Sequence, residues 1–307
     1  MSIDISTKLG GLELHAPVLT ASGCAASGKE LDQFFDINDI GGIVTKSIMQ
    51  NPRSGRATPR MVETPSGMIN SIGLQGPGID EFIEKDLAWL QERGVRTIVS
   101  IAGNTAEEFV RLARRLHNHP AVSAIEINIS CPNVSNRGLV FACMPDSASD
   151  VVGQVRRAVG NDVVLLAKLT PDVTDISEIA RAVHVSGADG VSLINTLLAM
   201  AISHDTLKPT LGGITGGLSG PAIRPVAVRC VYQIHQAMPD FPILAMGGIR
   251  SGKDAMEFIA AGASAVSVGT ATFGDPRAPL RIQQELAGEL QRHGFSALSE
   301  AVGIAHE

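Results

Sequence analysis

The chain has 307 residues, 44% of them hydrophobic and 18% charged, which allows a large buried core and excludes wholesale disorder. Its formal net charge is −6 and no run of Lys and Arg exceeds two residues, so nucleic acid and anionic membrane are poor partners for the bulk surface. Aromatic residues make up only 4%, which leaves no base-stacking platform, and the cysteines Cys24, Cys131, Cys143 and Cys230 form no C-x-x-C motif for zinc or an iron–sulfur cluster.

In chain order, the first four residues carry neither a basic region nor an apolar signal core, and no apolar run reaches the ~20 residues of a membrane span. With unclustered cysteines, this fits a reducing cytoplasm, and the N-x-S matches at Asn128 and Asn133 read as chance glycosylation motifs. Short β-branched runs predict strands over 17–22 and 42–47. A long stretch, 48–96, follows with many turn formers. Strands are then expected over 97–102, 124–130, 163–169 and 190–195, with amphipathic helices over 106–116, 149–159 and 176–186 between them. A second long stretch, 197–223, ends in Gly216-Gly217-Leu218-Ser219-Gly220-Pro221. Helix 224–238, strand 242–246, helix 252–261 and strand 265–269 complete the pattern.

These strands are near-continuous apolar runs, as strands covered on both faces should be. Their alternation with helices predicts a (β/α)8 TIM barrel, a single domain over 1–307. A doubly wound open sheet is the alternative, but the usual G-x-G-x-x-G after a first strand is absent. Both long stretches leave strand C-termini, so they are expected to cover the C-terminal face of the barrel.

In a barrel, the residue that finishes a strand points into the site. Those positions hold Ser22, Lys46 and Ser47, Asn104, Asn128 with Cys131 and Asn133, Lys168, Asn195 and Thr196, Gly247 and Gly248, and Gly269 and Thr270. Glycines after the last two strands suit a phosphate held by backbone N–H groups. Two strand-end lysines point to an anionic ligand, although a single one could snorkel to solvent. Asn carboxamides suit a ring edge of alternating C=O and N–H groups. Turn capping explains Asn104 and Asn133 comfortably, but explains Asn128, inside Ile125-Glu126-Ile127-Asn128-Ile129, poorly. Cys131, past a strand and before Pro132, could serve as a proton-abstracting base. Cys24, Cys143 and Cys230 read as inert, and the eight His show no metal spacing.

The segments Glu126-Ile-Asn-Ile-Ser-Cys-Pro-Asn133, Thr215-Gly-Gly-Leu-Ser-Gly-Pro-Ala222, and Met246-Gly-Gly-Ile249 with Val268-Gly-Thr270 resemble dihydroorotate dehydrogenases, in the family's order and spacing, from about residue 3 to 290. Cys131 resembles the base of class 1, where class 2 uses Ser. Gly138-Leu139-Val140-Phe141 looks most like class 1B, the catalytic subunit that works with an FAD- and iron–sulfur-containing partner and passes electrons to NAD. The resemblance implies FMN at the barrel mouth, held by Ser22, Lys46, Ser47, Asn104, Asn128, Lys168, Ile194, Gly220, Gly247, Gly248, Gly269 and Thr270. It implies dihydroorotate or orotate at Lys46, Asn70, Ser71, Ile72, Gly73, Leu74, Asn128, Asn133, Asn195 and Thr196. It also implies a homodimer at the core of a heterotetramer. The chain departs at Ala142-Cys143, where the family commonly has Gly-Thr. A thiol beside paired lysines is also similar to the pyrimidine-reducing domain of dihydropyrimidine dehydrogenase.

The function implied is oxidation of (S)-dihydroorotate to orotate in de novo pyrimidine (UMP) synthesis. Three rivals remain at this point: a fumarate-linked class 1A enzyme, a colourless Schiff-base lyase or isomerase using Lys168, and a binding-only barrel without catalysis.

Overall fold

The computed structural model describes residues 3–130 and 141–307. From the N-terminus, β1 (Thr7–Leu9) and β2 (Leu12–Leu14) form an antiparallel hairpin. Strands β3 (Val18–Thr20) and β4 (Ile43–Val44) enter the main sheet. The chain then leaves it to form β5 (Met61–Thr64) and β6 (Gly67–Asn70). It returns through α1 (Ile79–Glu81), a π-helical stretch Phe82–Leu87 and α2 (Ala88–Arg93). Strands and helices then alternate: β7 (Thr97–Ile101), α3 (Ala106–Leu116), β8 (Val122–Asn128), α4 (Pro145–Val159), β9 (Val164–Lys168), α5 (Ile176–Val185) and β10 (Gly190–Leu193). A second departure makes β11 (Leu197–Met200) and β12 (Thr215–Ser219). The chain ends with α6 (Arg224–Ala237), β13 (Ile243–Met246), α7 (Gly252–Ala260), β14 (Ala265–Val268), α8 (Ala271–Gly274) and α9 (Ala278–Arg292).

The main sheet runs in the order β3-β14-β13-β10-β9-β8-β7-β4, with parallel pairing throughout. Its ends meet. Leu19 bridges Gly42, and the Thr20 hydroxyl accepts from Val44 N at 3.0 Å and donates to Val44 O at 3.4 Å. The ring therefore closes into the expected (β/α)8 barrel. β4 is shorter than its apolar run suggests because Lys46 N turns away to Ala26 O at 2.9 Å.

The period of two along each strand divides the core. Residues such as Ile43, Val99, Ile125, Leu165, Val191, Ile243 and Val266 pack outward in one large cluster with the helices. Leu19, Val44, Ile98, Ala124, Leu166, Leu244 and Ala265 form a second cluster, contributed by strands all around the ring, and fill the lumen. Leu9, Leu12 and Leu14 of the hairpin join this cluster and plug the barrel from below. The helices begin where the sequence provides caps. In α3 the Thr105 hydroxyl accepts from Glu108 N, and Ala106, Phe109, Leu112, Ala113 and Leu116 make the buried stripe.

The two long connections are not structureless. They pair with each other as an antiparallel sheet in the order β11-β12-β6-β5, set over the ends of the barrel strands. The Gly216-Gly217 pair allows this close approach, since a Cβ on Gly216 would lie 2.5 Å from Asn70 O and one on Gly217 would collide with the Thr196 hydroxyl.

Candidate active site

A cavity of about 620 Å³ opens at the C-terminal ends of the barrel strands, within the size range of cofactor and small-molecule sites. Strand ends supply its floor: Ser22 after β3, Lys46 and Ser47 after β4, Asn128 on β8, Lys168 on β9, and Ile194, Asn195 and Thr196 after β10. Gly247 and Gly248 follow β13 and Gly269 and Thr270 follow β14 on the far wall. The antiparallel sheet and its flanks give the roof, with Met61, Met68, Asn70, Ile72, Gly73, Leu74, Ser219 and Gly220.

The glycine wall is built for close backbone approach. Gly248 has φ +80°, and a Cβ there would lie 2.7 Å from Gly220 O and 3.0 Å from Arg224 Cβ. The turn is pinned from behind: Asp254 accepts from Arg250 N at 2.8 Å and pairs with the Arg224 guanidinium. The first amides of α7 are already taken, Gly252 N by Glu285 at 2.7 Å and Asp254 N by Ser251 at 3.2 Å. The backbone of Gly247, Gly248 and Ile249, with the Gly269–Thr270 turn, is therefore what this wall presents to an anion.

The amides on the opposite side are fixed by one another. Asn195 Nδ2 donates to Ser130 Oγ at 2.7 Å, Ser130 Oγ donates to Asn128 Oδ1 at 3.0 Å, and Asn128 Nδ2 donates to Ser47 Oγ at 2.9 Å. Asn195 Oδ1 accepts from Thr196 N at 2.8 Å. This explains a carboxamide inside a buried strand: Asn128 is held by hydroxyls on both sides.

The charge on the wall has one sign. Lys46, Lys168 and Arg250 line the cavity, and no Asp or Glu does so among the described residues. The site is suited to anions. The Cys24 thiol shares this wall. Burial pushes it up to about 11, while Lys46 and Lys168 pull the other way.

Most residues singled out from the sequence converge here. Ser71 and Asn104 do not line the cavity. Ser71 is fully buried and its Oγ accepts from Arg56 Nη1 at 3.3 Å. The Asn104 amide donates to Glu108 at the start of α3 at 3.0 Å, the helix-start role that its position allowed, and its Oδ1 is buried without a partner among the described residues. Cys131 and Asn133 lie outside the described residues. Sequence reasoning missed Cys24, which follows Ser22 and Gly23 at the first strand's end, and the roof residues Met61 and Met68. It also missed Ser100 and Glu126 just below the floor. The available signal for Glu126 was a carboxylate in an otherwise apolar strand.

Residues 4–290 match the family model described as Dihydroorotate dehydrogenase. A protein of Geotalea daltonii named "Dihydroorotate dehydrogenase B (NAD(+)), catalytic subunit" is 48% identical over 300 residues, covering 98% of this chain and 97% of the relative. Proteins with the same name from Desulforamulus reducens and Bacillus cytotoxicus are 47% and 45% identical. They cover 100% and 97% of this chain, and 100% and 96% of their own lengths.

Proposed function

The chain belongs to the dihydroorotate dehydrogenase family, and from that premise we propose that it oxidises (S)-dihydroorotate to orotate in de novo pyrimidine (UMP) biosynthesis. It does so as an NAD-linked class 1B catalytic subunit acting through an FAD- and iron–sulfur-containing partner. The observation that carries this reading is the cavity wall, in which cations, carboxamides and close-approach glycines surround one space and no carboxylate intrudes.

That donor set fits FMN. The Gly247–Gly248 and Gly269–Thr270 turns would hold the phosphate, Gly220 leaves room beside it, and Ser22, Lys46, Ser47, Asn128, Lys168 and Ile194 would make up the remaining contacts, whereas Asn104, spent on Glu108 away from the cavity, would not. When bound, FMN would supply the acceptor for the hydride equivalent leaving C6 of the substrate. Cys131 removes the proton from C5. Asn70, Asn128, Asn133, Asn195 and Thr196 grip the ring edge, and Lys46 holds the carboxylate, so that the two bonds to be broken are aligned. Lys168 contributes fixed positive charge at the floor. The roof, with residues 70–74, excludes water. The unit that acts is one domain over 1–307, a homodimer at the core of a heterotetramer in the cytoplasm. Among the described residues no helix is long and apolar enough to cross a membrane.

The test is anaerobic mixing with dihydroorotate, followed in the visible flavin band. Cys131→Ala should bind FMN normally and be reduced about 10²- to 10⁴-fold more slowly than wild type. Equal rates would remove Cys131 from the mechanism. Robust fumarate-dependent turnover by the isolated chain would favour the class 1A reading. A colourless protein trapped by borohydride with a carbonyl substrate would favour the Schiff-base reading.

A further inference from the structure

Lys168 is buried, with 3% exposure, and a buried ammonium needs an anion. Glu126 on the neighbouring strand supplies it: Nζ and Oε2 lie 3.5 Å apart, and Glu126 is fully buried. The other carboxylate oxygen, Oε1, accepts from Ser100 Oγ at 2.9 Å. Ser100 Oγ lies 2.9 Å from Ser47 Oγ, the hydroxyl that accepts from Asn128.

The directions of these bonds follow from the charge. A carboxylate only accepts, so Ser100 gives it its single proton. The proton between Ser100 and Ser47 must then come from Ser47, and Ser47 must accept from the Asn128 NH₂. The Asn128 carbonyl is thereby turned to Ser130, and Ser130 accepts from Asn195. One donor chain runs from Asn195 through Ser130, Asn128, Ser47 and Ser100, and it ends on the Glu126 anion. The groups around Lys168 make Glu126 distinctive. Lys168 and Lys46 both act electrostatically on the Cys24 thiol, and Ser192 on β10 and Asn128 on β8 stand in register with Lys168. Ser192 Oγ, like Ser267 Oγ on β14, is buried without a partner among the described residues. Of these neighbours, Glu126 alone is a carboxylate.

We propose that Glu126, which is not part of the cavity wall, is the positioning residue of this site: its buried charge keeps Lys168 a cation under the floor and sets the direction of the amide chain that presents Asn128 and Asn195 to the substrate. The proposal rests on the dihydroorotate-oxidising reading.

The experiment uses the FMN-loaded full chain. Glu126→Gln keeps the shape and an acceptor for Ser100 but strands the buried Lys168 without its counter-ion. The visible spectrum of bound FMN should become pH-dependent in E126Q in a way that wild type is not. Glu126→Asp, which keeps the charge, should stay flat, and so should the double variant E126Q with Lys168→Met. Ser100→Ala cuts the chain and leaves the ion pair. Its spectrum should stay flat while orotate binds about threefold to tenfold more weakly, the worth of one hydrogen bond. A flat E126Q spectrum, an E126D spectrum that titrates, or wild-type orotate affinity in S100A would overturn the proposal. If E126Q does not fold, E126D and S100A still decide it. A wild-type protein that holds no flavin, or whose flavin dihydroorotate does not reduce, sinks the functional reading instead.

Discussion

The two ends of the barrel lumen are built by the same strands, two residues apart, and differ in kind. Toward the hairpin the inward positions are Ile98, Ala124, Leu166 and Ala265, a dry cluster closed by Leu9, Leu12 and Leu14. One step higher on those strands the inward positions are Ser100, Glu126, Lys168 and Ser267. A strand period of two lets one segment serve both ends, because successive inward side chains climb the lumen. The lower layer makes only non-directional contacts, whereas in the upper one Ser100, Glu126 and Lys168 are joined by a hydrogen bond and an ion pair, with Ser267 beside them unpartnered among the described residues. Changes at the lower end should therefore act on folding and changes at the upper end on ligands.

The largest expected separation comes from Leu166, one step below Lys168. Leu166→Ala leaves a void among fully buried neighbours and should lower unfolding free energy by about 2–5 kcal/mol. Urea melts read this directly. The FMN dissociation constant of the folded fraction should stay within a factor of about two, since an energy difference of that size is below 0.5 kcal/mol. A large fall in FMN affinity would show that the two ends are mechanically coupled.

Gly248→Ala makes the opposite cut. The new Cβ meets Gly220 O at 2.7 Å on a backbone with φ +80°, so the turn must open. Strain of roughly 1–3 kcal/mol should appear chiefly as FMN affinity weakened by about fivefold to a hundredfold. Flavin fluorescence titration measures it. Unchanged affinity would place the phosphate elsewhere.

How much of this was legible beforehand follows the same division. Strand cores such as 97–102 and helix 106–116 could be read because apolar period and caps are local signals. So could the strand-end lysines and glycines, whose position on a barrel sets their direction. The cover sheet could not be read. β6 and β12 pair across about 150 residues of chain, and Gly217 fits there only because Thr196 stands against it. Glu126 was hidden for a related reason: its meaning depends on Ser100 and Lys168, which lie on neighbouring strands.

The upper end also carries an alkaline signature. The Cys24 thiol has its ordinary value near 9 in the unfolded chain and about 11 when folded, because burial disfavours the thiolate. Between those values the unfolded chain releases a proton that the folded one retains. Stability should therefore fall as pH rises from 9 to 11. Thermal melts of wild type and Cys24→Ser across that window should differ in slope. Parallel slopes would mean that burial does not raise the Cys24 thiol in the folded chain.

The smallest effect belongs to the lower end, on the acid side. His235 lies near the C-terminus of α6, the end away from the cavity, and its ring fills the space over Gly262 and Gly303. His306 stacks on Tyr232 with ring centroids 3.9 Å apart and tilts against His235 at 4.8 Å. Burial holds His235 below its ordinary 6.5, the neighbouring His306 lowers it further, and Asp240 opposes them. As pH falls below 6.5 the unfolded chain takes up a proton that folded His235 refuses, so stability contributed by this packing is lost toward the folded pKa. The C-terminal turn Ile304–His306, tied to Ala261 O through His306 Nε2 at 3.1 Å, should be the first part to loosen. Hydrogen exchange between pH 7 and 5, corrected for its intrinsic pH dependence, should rise at residues 301–307 and stay constant around Lys168 and Gly248. His235→Asn should remove that pH dependence. Equal loosening at both ends would erase the distinction between a lower end that serves packing and an upper end that serves ligands.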